Sequence, residues 1–135
     1  MSRTIFVNLP VHDLTKAVDF FAAVGFTADP MATGADTTRM IVGDECSVML
    51  HTEKSFQSYA QCDITDTKTS REVIVGVSAT SRTEVDDLVA RAVAAGGTAL
   101  GEAQDQGFMY MWGFRDVDGH QWSFLFLDAS VVGAA

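Results

Sequence analysis

The stretch RDVDGHQWSFLFLD, residues 115–128, reads as a tight turn feeding a strand. Asp116-Val117-Asp118-Gly119 supplies the turn, since Asp side chains bond local backbone and Gly tolerates the reversal. Beyond the turn, side chains alternate across the strand. Trp122, Phe124 and Phe126 share one side, which is assigned to packing beneath helices. Gln121, Ser123, Leu125 and Leu127 share the other. A serine in the middle of that second side needs a reason.

Upstream, GFMYMWGF (107–114) and TALGEA (98–103) read as strands. They follow a helix opened by the capping box Ser81-Arg82-Thr83-Glu84, with Val85, Leu88, Val89, Ala92 and Val93 as its buried stripe and Gly96-Gly97 as its end. EVIVGVSA (72–79) is the strand before that helix. The same order occurs once earlier. TIFVNLPV (4–11) is a strand, Asp13 caps a helix over 14–24, and Gly25 closes it. FTADP (26–30) is a short strand ending at its proline, and TRMIVG and CSVMLHT form a hairpin around Gly43-Asp44-Glu45. Residues 53–70 are polar and weakly patterned, a linker with one helical turn around Phe56 to Tyr59.

The two caps, Asp13 and Ser81, lie 68 residues apart, the glycines Gly25 and Gly96 lie 71 apart, and the turns at Asp44 and Asp118 lie 74 apart. A slowly growing offset is the mark of a duplicated unit with longer loops in its second copy. The expected fold class is α+β: one domain over 1–135, made of βαβββ module 1 (about 4–52), the linker (about 53–70) and module 2 (about 71–128). Two such units can share a core and leave a cavity between their sheets.

The formal net charge is −9, and the nine Lys and Arg residues are scattered, so neither nucleic acid nor an anionic membrane is an expected partner. No apolar run reaches the ~18 residues of a membrane span, and no secretory pattern opens the chain. Cys46 and Cys62 show no framework spacing, which fits free thiols in a reduced, cytoplasmic protein.

NLPVHDLTKAVDFFAAVGF (8–26), MIVGDECSVMLHTE (40–53) and GFMYMWGFRDVDGHQWSFLFLD (107–128) together resemble the vicinal oxygen chelate superfamily, which includes glyoxalase I, the extradiol dioxygenases and the fosfomycin- and bleomycin-resistance proteins. The resemblance covers residues 4–128. It implies paired βαβββ modules, curved mixed sheets facing a cleft, and a homodimer. It also implies, for the enzymes, four His or Glu ligands from strands one, four, five and eight around one divalent ion that acts as a Lewis acid.

Carried over by the resemblance, those four positions fall on Phe6, about Met49, about Val73 with Glu72 one residue off, and Ser123, four residues after Gly119. A phenyl ring, a thioether, an isopropyl group and one neutral hydroxyl are poor ligands for Mg, Mn or Zn. The expectation is therefore no metal and no cofactor.

Other residues are weighed one by one. His51 lies two beyond Met49 and shares its side, at the mouth of the cleft. Asn8 shares the side of Phe6, and its amide needs a partner or orients a ligand. Met109, Met111 and Trp112 belong to a Met- and aromatic-rich strand that suits flat or apolar molecules, though parity leaves open which of its members face the cleft. His12 and His120 read as surface loop histidines, and Asp116 as a solvated turn acid. No nucleophile is assigned. The ligand-binding set is Phe6, Asn8, Met49, His51, Met109, Met111, Trp112 and Ser123, and the expected function is capture of a small apolar or aromatic molecule, akin to the drug-sequestering branch. The alternative is a divalent-metal-dependent lyase, isomerase or dioxygenase with displaced ligands, drawn from His51, Glu72 and Glu53.

Overall fold

The computed structural model describes residues 2–132. The chain is α+β and divides into two compact units, Met1–Asp66 and Thr67–Ala135. Residues 133–135 lie outside the described residues.

In the first unit, β1 (Ile5–Val11) leads into α1 (Leu14–Val24), then β2 (Thr27–Thr33), β3 (Thr37–Gly43) and β4 (Cys46–Thr52). The sheet order is β1-β4-β3-β2, with β1 parallel to β4 and the other pairs antiparallel. Asp13 caps α1 by accepting from the Lys16 N–H at 3.1 Å. Gly25 ends it at φ 117°, a conformation that favours glycine, and its N–H reaches the Phe21 and Ala22 carbonyls. Ala17, Phe20, Phe21 and Val24 of α1 pack on Leu9, Val11, Met40, Val48 and Leu50, all buried. β2 runs through Pro30 rather than ending there. It is an edge strand whose pairing shifts register between Ala28 and Thr33, and an edge tolerates a missing donor.

Residues 53–60 form a two-turn helix, α2 (Glu53–Ala60), longer than the single turn expected of a linker. Thr52 caps it by accepting from Ser55 N–H at 3.3 Å, and Gln61 closes it at φ 57°.

In the second unit, β5 (Ile74–Ser78) precedes α3 (Arg82–Ala94), two short strands β6 (Thr98–Ala99) and β7 (Gln104–Asp105), β8 (Met109–Arg115), β9 (Gln121–Leu127) and the short α4 (Ala129–Val132). The order is β5-β9-β8-β6, β7 also pairs with β8, and β5 runs parallel to β9. Ser81 Oγ accepts from Glu84 N–H at 3.0 Å, while Glu84 reaches back to the Thr80 N–H at 3.1 Å, one residue earlier than a standard capping box. Phe114, Trp122 and Phe124 are fully buried under α3, with ring centroids 5.5 to 6.4 Å apart. Burial of each such ring contributes about 3 kcal/mol.

The turn of the opening stretch is not a solvated surface feature. Asp116 is 5% exposed and His120 is 7% exposed, which corrects the reading of both as surface groups. Asp116 Oδ1 accepts from the Asp118 and His120 N–H groups at 2.9 and 3.0 Å, and Oδ2 accepts from Trp122 Nε1 at 3.1 Å. A buried indole needs an acceptor, and Asp116 is drawn inward to supply it. Burial pushes the Asp116 carboxyl up, against the pull of nearby His120 and the three donors. Thr67 Oγ1 donates to Asp118 O at 2.6 Å and covers the turn, so a Cβ on Gly119 would meet Thr67 Oγ1 at 2.5 Å.

Two glycines in this sheet separate packing from space. A Cβ on Gly113 would sit 2.0 Å from the Trp122 carbonyl oxygen, whereas one on Gly76 would meet nothing within 4 Å. Gly113→Ala is expected to cost on the order of 3 kcal/mol and Gly76→Ala less than about 1 kcal/mol. Urea denaturation of the two variants checks this, and equal midpoints would contradict the pairing of β8 with β9.

Candidate functional site

Strand pairing sorts the first sheet into two faces. Leu9, Val11, Val48, Leu50, Thr38 and Met40 face α1. The opposite face is built from three cross-strand rows: Phe6, Ser47 and Ile41; Asn8, Met49 and Arg39; Pro10, His51 and Thr37. Phe6, Asn8, Met49 and His51 thus come together on one face, as the sequence expects.

His51 is 5% exposed and sits in a closed chain of hydrogen bonds. Asn8 Oδ1 lies 2.7 Å from Nε2, and Thr37 Oγ1 lies 2.8 Å from Nδ1. The Asn8 amide is oriented by its Nδ2–H, which donates to Phe6 O at 3.3 Å, so its oxygen is the group facing the imidazole. The oxygen only accepts, which places the imidazole hydrogen on Nε2 and leaves Nδ1 to accept from the Thr37 hydroxyl. Phe56 and Tyr59 of α2 stand over the ring, with centroids 6.4 and 5.4 Å away. Burial pushes the His51 pKa down, so the ring is held neutral.

Arg39 is the residue that sequence reading passed over. Its Nε donates to Ser47 Oγ at 2.8 Å, its Nη1 donates to Asp29 Oδ2 at 3.2 Å, and its guanidinium carbon lies 5.1 Å from the Phe6 ring centre. Period-two alternation was the available signal: Arg39 stands between the buried Thr38 and Met40, on the side of Met49.

The second sheet divides in the same way. Tyr110, Trp112, Phe114, Trp122, Phe124 and Phe126 share the face toward α3, and Met109, Met111, Ser123, Leu125 and Ile74 share the other. Met109, Met111 and Ser123 therefore stand together. Trp112 does not join them: it pairs with Phe124 on the helix side, and its indole donates to Gly101 O at 3.2 Å. An even-odd count from Ser123 through the β8–β9 register settles the parity that the sequence leaves open.

The register also moves the fifth-strand position. Gly76 pairs with Ser123 as Asn8 pairs with Met49. The residue two before Asn8 is Phe6, and the residue two before Gly76 is Ile74, so the equivalent of Phe6 is Ile74 rather than Val73. Residues 72 and 73 precede the strand. The positions to which the resemblance assigns ligands thus carry Phe6 and Met49 in the first unit and Ile74 and Ser123 in the second, side chains poorly suited to a divalent ion. Among the described residues no group of three or more His, Cys, Asp and Glu gathers as a metal cage.

The neutral His51 has a pH signature. Its folded pKa lies below the ordinary value of about 6.5, so the unfolded chain takes up the proton first. Its contribution to stability is complete above pH 6.5 or so and is lost as pH falls toward the folded value. His51→Gln should flatten this part of the denaturation profile measured between about pH 7 and pH 5; an unchanged slope would contradict the buried neutral ring.

The family model described as the Glyoxalase/Bleomycin resistance protein/Dioxygenase superfamily matches residues 4–124. Hypothetical protein SA1046 from S. aureus is similar at 29% identity, over 93% of this chain and 94% of that one, with a TM-score of 0.78. A glyoxalase/bleomycin resistance protein/dioxygenase family enzyme from Burkholderia phytofirmans PsJN is 17% identical over 90% and 96% of the two chains, with a TM-score of 0.77. A glyoxalase-related enzyme from Fulvimarina pelagi is 20% identical over 93% and 88%, with a TM-score of 0.76. The last two share the fold. No curated protein matches this chain. With a family match over residues 4–124, most of its length, the chain belongs to the Glyoxalase/Bleomycin resistance protein/Dioxygenase superfamily.

Proposed function

We propose that this protein captures a small apolar or aromatic molecule and does so without a resident divalent metal. One observation carries the reading: Phe6, Met49, Ile74 and Ser123 stand at the positions that would have to supply metal ligands. Each is apolar or neutral, and none brings a lone pair of the strength a hard or borderline cation requires. The same side chains suit an apolar guest. Phe6 is 47% exposed and Ile74 is 56% exposed, on sheet faces turned away from α1 and α3. Met49 near Phe6, and Met109 and Met111 on the second sheet's outer face, adapt to the shape of a ring.

Capture needs only burial and orientation. Removing ~200 Å² of apolar ligand surface from water contributes on the order of 5 kcal/mol before association costs. Asn8, His51 and Ser123 are the polar groups on these faces that sequence reading named for orientation. A cytoplasmic homodimer that sequesters a drug-like compound is the fuller form of this reading. No described helix is long and apolar enough to cross a membrane.

The metal-dependent lyase, isomerase or dioxygenase would need His51, Glu53 and Glu72 as displaced ligands. Both His51 nitrogens already hold hydrogen bonds, and Glu53 pairs with His12 at 3.0 Å. Recruiting His51 would break the Asn8 and Thr37 bonds at once, which weighs against that alternative.

Thermal unfolding in the presence of a panel of planar aromatic compounds, followed by native mass spectrometry of the hits, tests the proposal. At least one compound should raise the melting temperature by several degrees at ~100 times its Kd and bind stoichiometrically. A panel that leaves the melting temperature unmoved throughout would contradict it.

A further inference from the structure

Each of the faces described above carries a guanidinium, Arg39 in the first unit and Arg115, in the row of Gln121 and Ile74, in the second. Arg39 is anchored rather than splayed into solvent. Nε holds Ser47 Oγ at 2.8 Å, Nη1 holds Asp29 Oδ2 at 3.2 Å, and the plane lies near Phe6. Arg39 side-chain exposure is only 28%. The Asp29 contact uses one oxygen, and the other Asp29 oxygen accepts from the Met31 N–H at 2.9 Å.

Hydrogen-bonding capacity on this face is unevenly spent. Each acceptor already holds at least one bond: His51 Nδ1 from Thr37, Asn8 Oδ1 from His51, Ser47 Oγ from Arg39, and both Asp29 oxygens. Its N–H donors are less used. A guanidinium carries five N–H groups, of which two are used here, and one N–H of the Asn8 amide is used. Among the described residues no buried side-chain nitrogen or oxygen lacks a partner, so Arg39 Nη2, which makes neither of these bonds, reaches solvent. Asn8, Met49 and Arg39 form one cross-strand row, so spare donors flank the thioether on both sides. Two strand spacings put the outer backbones of that row about 10 Å apart, the width of a bicyclic ring system with one polar substituent.

We infer that the captured molecule is an apolar or aromatic acid, whose carboxylate or equivalent oxyanion is received by Arg39 with Asn8 as second donor, while its ring lies over Met49 and against Phe6. The inference rests on the capture reading above and assigns the ligand its chemical class. A face whose most open groups are guanidinium and amide N–H favours an anionic guest over a cationic one of the same shape. Charge-assisted bonds to a guanidinium are the strong ones, and Arg offers them in a fixed fork. The chain's net charge of −9 disfavours anions at long range, so acid binding here depends on the local guanidinium.

The test is isothermal titration with three probes of one shape: 2-naphthoate, 2-naphthylmethanol and 2-naphthylmethylammonium. Wild-type protein should bind the acid at least tenfold more tightly than the alcohol and the ammonium least. Arg39→Gln should remove the acid's advantage over the alcohol. Because that variant strands Asp29, the double variant Asp29→Asn/Arg39→Gln, which relieves the unpaired carboxylate, is measured beside it and should behave alike. Equal binding of acid and alcohol, a preference for the ammonium, or an acid preference that survives in a folded variant overturns the acid assignment while the capture reading stands. Failure of all three probes to bind wild-type protein overturns both.

Discussion

What each sheet's outer face presents depends on one pairing made twice, the parallel ladder between the first and last strands of each unit. β1 lies beside β4 with Asn8 opposite Met49, and β5 lies beside β9 with Gly76 opposite Ser123. A slip of one residue would turn each strand over. The buried sides forbid the slip. Leu9, Val11, Val48 and Leu50 are held under α1, and Trp122 and Phe124 under α3. The hydrophobic core thereby decides which side chains stand on the opposite faces, and those side chains decide the chemistry.

That chemistry is one of fixed, mostly satisfied polar groups set among apolar ones. His51 is neutral and engaged at both nitrogens, which makes it a brace between β1, β3 and β4 more than a reactive group. Arg39 is the one cation of its face to be gripped on two sides while keeping donors in reserve. In the second unit the face of Ser123 sets Met109, Met111, Ile74 and Leu125 beside the row that carries Arg115 and Gln121. The Arg82 cluster of that unit does different work. Arg82 pairs with Asp128 at 3.0 Å and Asp105 at 3.4 Å and donates to Gly107 O, tying the β7–β8 loop and the end of β9 to the start of α3.

Much of this was legible in the residues. The caps Asp13 and Ser81, the alternation of Trp122, Phe124 and Phe126, and the repeated turn spacing are local signals, and local signals survive folding. That Phe6 shares a face with Asn8, and Met49 with His51, followed from period two; that the two pairs share one face needed the β1–β4 pairing. What sequence could not supply was register between strands distant in the chain. Trp112 and Ile74 are assigned by cross-strand pairing with β9, about ten and nearly fifty residues away, which no local pattern encodes. Burial of polar groups was the other gap. Asp116 and His120 sit in a turn that reads as exposed, and only the demand of the buried Trp122 indole and the cover of Thr67 draw them in. Arg39 was hidden for the opposite reason: a lone basic residue in a strand reads as solvated until the neighbours that hold it are known.

The central claim is that the donor atoms for a divalent cation are missing from the positions where this family would place them. Titrating metal-stripped protein with Mn²⁺, Ni²⁺ and Zn²⁺ in turn, and reading bound ion by calorimetry and by electron paramagnetic resonance for Mn²⁺, examines those atoms directly. Heats indistinguishable from dilution and a free-ion Mn²⁺ spectrum at equimolar protein are the expected result. Stoichiometric binding below about 10 μM that is lost on Ser123→Ala would contradict the account.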